Sequence, residues 1–394
     1  MTREMFDIHL AQGIIFFCCR ATNQVREWHS RMRIVVKVGT RTLTQGGSRL
    51  SRPHMLELVR QMAQLHAGKH ELILVSSGAV FAGREALGTL PNRRDIPFKQ
   101  TLAAIGQVRL MAIYEQLFGL YDVTIAQALL TRADLANRER YLNARNTMQS
   151  LLDLRVIPVI NENDVVGVEE IRIGDNDNLS ALVANLVDAD LLIILTDQPG
   201  LFTADPRLDP QAELIPEVRV IDERIRRLAG GSGSGIGTGG MATKIEAADL
   251  ATHSGTEVVI AAGNAPNVLL RLVAGEALGT RFLATTSHVE GRKRWILAEA
   301  PRGELVVDAG AAHAITRQGK SLLPVGIAEV RGAFQRGQTV RLLAPDGREI
   351  ARGITHYNAE DVIAIQRHRS NEINDILGYE YGPAVVHRDD LVLV

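Results

Sequence analysis

A chain of 394 residues, 46% of them hydrophobic, is long enough for two or three domains with a large buried core, and a net charge of −1 gives it no bulk attraction to nucleic acid or anionic membrane. The only cysteines are the neighbours Cys18 and Cys19. No disulfide framework can therefore staple the body of the protein, which suits a reducing, cytoplasmic setting.

Residues 1–32 differ in character from the rest of the chain. The apolar run 14–19 is too short to span a bilayer, and Glu4 and Asp7 ahead of it do not fit a secretory signal. A poorly ordered leader is expected here. Because Met32 immediately precedes the first strand pattern, one reading takes it as the natural start.

From Arg33 onward, short β-branched runs alternate with longer helical segments. Runs 33–38, 72–75, 123–127, 156–160, 191–195 and 258–262 read as strands buried on both faces; 53–67, 98–118, 141–152 and 179–187 read as the helices between them. This alternation predicts an α/β domain with an open, mostly parallel sheet sandwiched by helices. Polar residues close the strands. Lys37 lies near the end of the first, before Gly39-Thr40; the second meets Ser76-Ser77-Gly78-Ala79, the fourth Asn161-Glu162-Asn163-Asp164, and the fifth Thr196-Asp197. Each group alone would pass as a turn or cap. Four of them on the carboxyl edge, where open α/β sheets bind ligands, point to a site.

Gly174-Asp175-Asn176-Asp177-Asn178 precedes an apolar helix whose Leu179, Leu182 and Leu186 share a face. One Asx residue would suffice as its N-cap, and the spacing does not match a calcium loop, so participation in a polar ligand site stands beside plain capping.

Residues 230–240 contain seven glycines. The stretch is either a flexible linker or a loop whose backbone N–H groups turn toward one anion before a helix over 242–253. Lys244 would sit in the first turn of that helix, an unfavourable place for a cation unless an anion shares the site, and phosphate is the first candidate. A Walker motif is excluded because no glycine precedes the lysine. Gly235, Gly237 and Gly240 match G-x-G-x-x-G, but 221–228 ahead of them reads as a short helix rather than the strand a dinucleotide fold needs.

Near 277–291 the alternation stops, and from Arg292 the chain reads as short strands and tight turns. Pro345-Asp346-Gly347 between 339–343 and 349–354 marks a hairpin. Arg292-Lys293-Arg294-Trp295 places a basic run beside an aromatic ring. Residues 291–394 nevertheless carry 14 Lys+Arg against 13 Asp+Glu, so the electrostatic footprint of a nucleic-acid binder is missing.

Val36-Lys37-Val38-Gly39-Thr40, Ser76-Ser77-Gly78-Ala79, Asn161-Glu162-Asn163-Asp164, Gly174-Asp175-Asn176-Asp177-Asn178, Leu195-Thr196-Asp197 and Gly237-Thr238-Gly239-Gly240-Met241-Ala242-Thr243-Lys244, in this order, resemble the glutamate 5-kinases of the amino acid kinase superfamily. Leu323-Pro324-Val325-Gly326 and Val386-His387-Arg388-Asp389-Asp390 resemble the PUA domain of its bacterial members. The resemblance implies a kinase domain over 33–280, a linker over 281–291 and a small β-rich PUA-like domain over 292–394.

It also implies ATP-dependent phosphorylation of the L-glutamate side-chain carboxylate, the first step of proline biosynthesis. Such a carboxylate is already a nucleophile at neutral pH, so the work is alignment of two anions and neutralisation of charge in transfer. By carry-over, Lys37 and Lys244 reach the phosphates and Asp177 holds the two lysines. Thr196, Asp197, Thr238, Gly239, Gly240, Met241, Ala242 and Thr243 contact the nucleotide, and Ser77, Asp164, Asp175 and Asn176 hold glutamate. Mg2+ arrives with ATP, with no protein ligand assigned to it. Feedback inhibition by proline and a homo-oligomer, a tetramer, are implied by the resemblance alone. Two other readings remain: a sister kinase acting on N-acetylglutamate, aspartate or UMP, and an RNA binder acting through the PUA domain.

Overall fold

The computed structural model describes residues 31–88, 93, 95–167, 176–230 and 240–394. The expected leader lies almost wholly outside these residues, as do Asp175, Thr238 and Gly239.

Eight strands form the larger sheet: β1 (Arg33–Val38), β2 (Glu71–Ser76), β3 (Ile125–Leu130), β4 (Ile157–Glu162), β5 (Leu191–Thr196), β6 (Glu217–Val218), β7 (Glu257–Ala262) and β8 (Thr280–Phe282). Their order is β3-β4-β2-β1-β5-β7-β8-β6, with every neighbouring pair parallel except β7 with β8. The chain leaves β1 toward β2 on one side and later returns to β5 on the other, so the carboxyl ends around β1 form the topological switch point. The register aligns these ends, with Val38 opposite both Ser76 and Leu195 and Val75 opposite Ile160.

Strand alternation divides the core into two layers. Ile34, Val36 and Val38 pack with Met55, Leu58 and Met62 of α2 (Arg52–Ala67) and with Leu110, Tyr114 and Phe118 of α4 (Ile96–Gly119). Val35, Val75 and Ile194 pack on the other face with Met148 of α6 (Arg138–Asp153), Val183 of α7 (Asn176–Leu186) and Ala248 of α9 (Met241–Thr252). Lys37 continues the alternation of Val35, which carries it to the α7 and α9 side at the edge of the sheet. Between these elements lie α1 (Thr40–Thr44), α3 (Ala79–Leu87), α5 (Arg132–Ala136) and α8 (Glu223–Gly230). Two glycines let α3 and α4 touch backbone to backbone: a Cβ at Gly83 would lie 2.0 Å from the Leu102 carbonyl oxygen, and one at Gly106 would lie 1.8 Å from that of Ala79.

Three features differ from the sequence expectation. The third strand starts at Ile125 and is only half-buried, because it is the edge of the sheet and not a central strand. The expected linker begins inside β8, whose Phe282 is fully buried and whose backbone pairs with β7. The run at 292–295 lies on a helix (His288–Leu297), where short strands were expected.

The second sheet joins β9 (Gly303–Val307), β10 (Ile327–Gly332), β11 (Thr339–Leu343), β12 (Glu349–Ile354) and β13 (Leu391–Leu393) in the order β10-β9-β11-β12-β13. The hairpin at 345–347 closes β11 onto β12, with Gly347 at φ +82°. This domain docks on α6. Leu142 packs with Ile296, Ile354 and Val392, Arg138 pairs with Glu299 at 2.5 Å, and Arg145 bridges Asp188 and Asp390.

Candidate active site

Three elements far apart in the chain deliver the charged centre. β1 supplies Lys37, the first turn of α7 supplies Asp177, and the first turn of α9 supplies Lys244. Lys37 Nζ lies 2.6 Å from Asp177 Oδ1 and Lys244 Nζ 3.0 Å from Oδ2, while the Thr243 hydroxyl donates to Oδ2 at 2.8 Å. Exposure is 6% for Lys37, 1% for Asp177 and 5% for Lys244. Two cations thus share one anion out of bulk water.

The pKa directions follow from this crowding. Burial would raise the Asp177 carboxyl, but the two ammonium groups and the Lys37 and Thr243 hydrogen bonds outweigh it and hold the group well below the usual carboxylate range. Lys244 is lowered, chiefly by burial and further by Lys37, with Asp177 opposing. A helix N-terminus also favours the Asp177 charge. The partner of the first-turn lysine is therefore an internal carboxylate. Lys244 by itself does not demand a phosphate.

Beside this centre lies a buried amide cluster. Asn176 Nδ2 donates to Ser77 Oγ and to Asn161 Oδ1, both at 2.9 Å, with the Ser76 carbonyl at 3.3 Å. Asn161 Nδ2 donates in turn to Gln107 Oε1 at 2.8 Å. Ser77 can follow Ser76 in this position because Gly78 turns the chain into α3 at φ +110°, in the left-handed region. Asp164 sits in the turn after β4, half-buried.

On the other side of β1, the Thr196 hydroxyl donates to Asp197 Oδ1 at 3.1 Å, and Arg41 reaches Asp197 Oδ2 at 3.2 Å. Burial raises and the Thr196 hydrogen bond lowers the Asp197 carboxyl, with a net downward shift. Gly240 caps α9 without a side chain, Met241 and Ala242 open the helix, and the Thr243 hydroxyl also contacts the Gly240 carbonyl at 2.9 Å. The structure thus gathers Lys37, Asp177, Thr243 and Lys244 into one cluster and Ser77 and Asn176 into the next. Thr196 and Asp197 stand at the β5 end, and Gly240 to Ala242 at the α9 entrance.

Sequence reading missed Gln107 and, as an individual residue, Asn161. Gln107 had a detectable signal: it is a polar residue at the core-facing spacing of Ala103, Leu110 and Tyr114 in α4, all buried.

A buried lysine pair bridged by one carboxylate thus stands at the carboxyl edge of an open α/β sheet, beside a cluster of hydrogen-bonding amides. The model of the amino acid kinase family matches residues 32–262, and that of the PUA domain matches 303–377. Glutamate 5-kinase of Herpetosiphon aurantiacus is 59% identical over 92% of this chain and 98% of its own. Glutamate 5-kinase of Deinococcus radiodurans is 58% identical over 92% of this chain and 100% of its own. Among solved structures, carbamate kinase from Giardia lamblia bound to AMP-PNP aligns with a TM-score of 0.47 and 18% identity, covering 65% of this chain and 99% of that one. The chain belongs to the amino acid kinase family and, within it, to the glutamate 5-kinases. Among the described residues, no helix is long and apolar enough to cross a membrane.

Proposed function

We propose that this protein transfers the γ-phosphoryl group of ATP to the side-chain carboxylate of L-glutamate, giving L-glutamyl 5-phosphate for proline biosynthesis. The observation that carries the reading is the buried site with two ammonium groups for one carboxylate. Two ammonium groups held close together suit a polyphosphate, and neither lysine need act as a base, because the acceptor is already ionised. Lys37 and Lys244 stabilise charge on the phosphoryl group as it moves, more strongly in the transition state than in the ground state. Asp177 holds both ammonium groups in place.

Thr196, Asp197, Gly240, Met241, Ala242 and Thr243 line the nucleotide side, with Thr238 and Gly239 completing that loop in sequence. Ser77 offers a donor to the substrate carboxylates, with Asn176 beside it on the glutamate side and its amino group engaged by Ser77 and Asn161, and Asp164, with Asp175 as its sequence-level companion, offers charge to the free ammonium group. Mg2+ accompanies the nucleotide. Asp177 is a poor ligand for it, since both of its oxygens already face lysine or threonine. A cytoplasmic setting, proline feedback and a tetrameric assembly belong to this same reading and rest on the family resemblance.

Trapping with hydroxylamine tests the substrate, because an acyl phosphate yields a coloured hydroxamate. L-glutamate should give product, and N-acetylglutamate and aspartate very little. Acetylation removes the ammonium charge and leaves carboxylates unpaired, at a cost of roughly 1–3 kcal/mol or more for charged groups. Aspartate, one methylene shorter, would stop outside the near-attack distance of roughly 3–3.5 Å. Faster turnover of N-acetylglutamate than of glutamate would overturn the assignment.

A further inference from the structure

We infer that Gln107 is a positioning residue for the acceptor substrate: through Asn161 it fixes the amide orientation that leaves the Ser77 hydroxyl hydrogen free to be donated to a bound carboxylate. This rests on the reading that Ser77 and Asn176 face glutamate.

Hydrogen-bond direction is fixed at one end of the cluster and propagates along it. The backbone N–H of Glu162 can only donate, so the Asn161 atom 2.9 Å from it is the carbonyl oxygen Oδ1. That same oxygen accepts from Asn176 Nδ2, which turns the Asn176 amino group toward Ser77 as well. Ser77 Oγ is then an acceptor toward the protein, and its own hydrogen is left for another partner. Reversing Asn161 would set amino group against N–H at two places.

The remaining face of Asn161 is held by Gln107. Its Oε1 accepts from Asn161 Nδ2 at 2.8 Å, and Asn161 is only 3% exposed, so without this acceptor a buried amino group would lose the one partner that anchors it on that side. Gln107 does not gain equally from the contact. Its own Nε2 is buried with no hydrogen-bond partner among the described residues, in a helix face otherwise filled by Ala103, Leu110 and Tyr114. An apolar side chain would serve packing better there. The contribution of the glutamine therefore lies in what its carbonyl holds. Gly106 places it: the close contact of α4 with α3 brings this turn of the helix against the end of β2, where Ser76 also bonds to Tyr114 at 2.8 Å.

Gln107→Met keeps the length of the side chain and removes the acceptor. In the full-length enzyme, KM for L-glutamate should rise by about tenfold, the equivalent of one lost anchoring hydrogen bond, while kcat at saturation and KM for ATP change by less than about threefold. The rise in Tm caused by glutamate, read without turnover, should shrink in parallel. In an Asn161→Ala background the Gln107→Met change should add less than about twofold to KM, because Gln107 acts through Asn161. An unchanged glutamate KM in a folded Gln107→Met enzyme, or an undiminished penalty in the Asn161→Ala background, would overturn the inference. If Gln107→Met loses its cooperative melting transition, Gln107→Asn, which withdraws the amide by one methylene, carries the same test with the same criteria. Failure of the unmodified enzyme to form hydroxamate from L-glutamate would instead remove the proposed function and this inference with it.

Discussion

Asp177→Asn probes the charged centre most directly, because it keeps the shape of the side chain and removes only the anion between two ammonium groups. At an effective dielectric of roughly 20, contacts of 2.6 and 3.0 Å each correspond to about 6 kcal/mol of attraction. Desolvation cancels much of this, and removing one partner of a buried pair costs about 3–5 kcal/mol in practice. The ligand-free variant should therefore melt about 6–20 °C lower, by the usual scaling for a domain of 150–250 residues. An anionic nucleotide partly replaces the missing charge, so the Tm rise on adding a non-hydrolysable ATP analogue should be larger in the variant than in the native enzyme. Turnover should fall by roughly two orders of magnitude, as expected when transition-state stabilisers are misplaced rather than deleted. The pH profile gives an independent readout. Lys244 is already lowered by burial and by Lys37, and Asp177 is what raises it again. Losing Asp177 should move the alkaline limb of kcat/KM to lower pH. An Asp177→Asn enzyme with native Tm, a native alkaline limb and kcat within threefold of native, measured by differential scanning fluorimetry and ADP release, would refute the electrostatic account.

Lys37→Met and Lys244→Met should each lower kcat by roughly two to three orders of magnitude with a smaller effect on KM for ATP, measured by steady-state kinetics. Gly106→Ala should abolish soluble expression or cost several kcal/mol in urea unfolding, because its Cβ would fall 1.8 Å from the Ala79 carbonyl oxygen and the helices cannot part without opening the core. Acid titration should reveal Asp177: its carboxyl is depressed in the fold, so its contribution is full above the ordinary carboxylate range and disappears as pH falls through the folded value. The native-minus-variant stability difference for Asp177→Asn should accordingly shrink on acidification. Removing residues after 291 should leave glutamate phosphorylation in place but lower Tm and increase aggregation, since it uncovers Leu142 and takes Asp390 from Arg145.

The sheet was legible because its buried strands are short β-branched runs, and the one charge in the interior of the first of them, Lys37, stands out against Val35 and Val36. β3 was harder. As an edge strand it carries Ala126, Gln127 and Ala128, which give no strong strand signal, and its limits shifted by two or three residues. The helix at 288–297 had a signature that went unread: Ser287 and Glu290 form a capping box, with the Ser287 N–H donating to Glu290 and the Glu290 N–H to Ser287, each at 3.3 Å. At the site, the groups of residues at strand ends could be found from spacing, but the pairing among them could not. Asp177 lies far from Lys37 and from Lys244 in the chain, and only the parity of β1 together with the entry points of α7 and α9 brings them to one place.

Burial gives this centre its strength and sets its limit. Out of water, each ammonium group acts on a transferring phosphoryl group at lower dielectric than it would on the surface. The same burial disfavours the charged form of Lys244, so a lone lysine at this position would lose part of its charge as it gained strength. Asp177 opposes this loss by favouring the charged form of Lys244 before the substrate arrives. A single carboxylate shared by two lysines holds both ammonium groups at one place, where the proposed nucleotide would meet them. A second buried carboxylate would stabilise the empty enzyme further and compete with the phosphates for the same ammonium groups. Introducing one at Gly39, where a Cβ would lie 3.4 Å from Lys37 Nζ, should therefore weaken ATP binding even in a well-folded enzyme. Gly39→Asp with an unchanged KM for ATP would show that the charge of the lysine pair is not what binds the nucleotide.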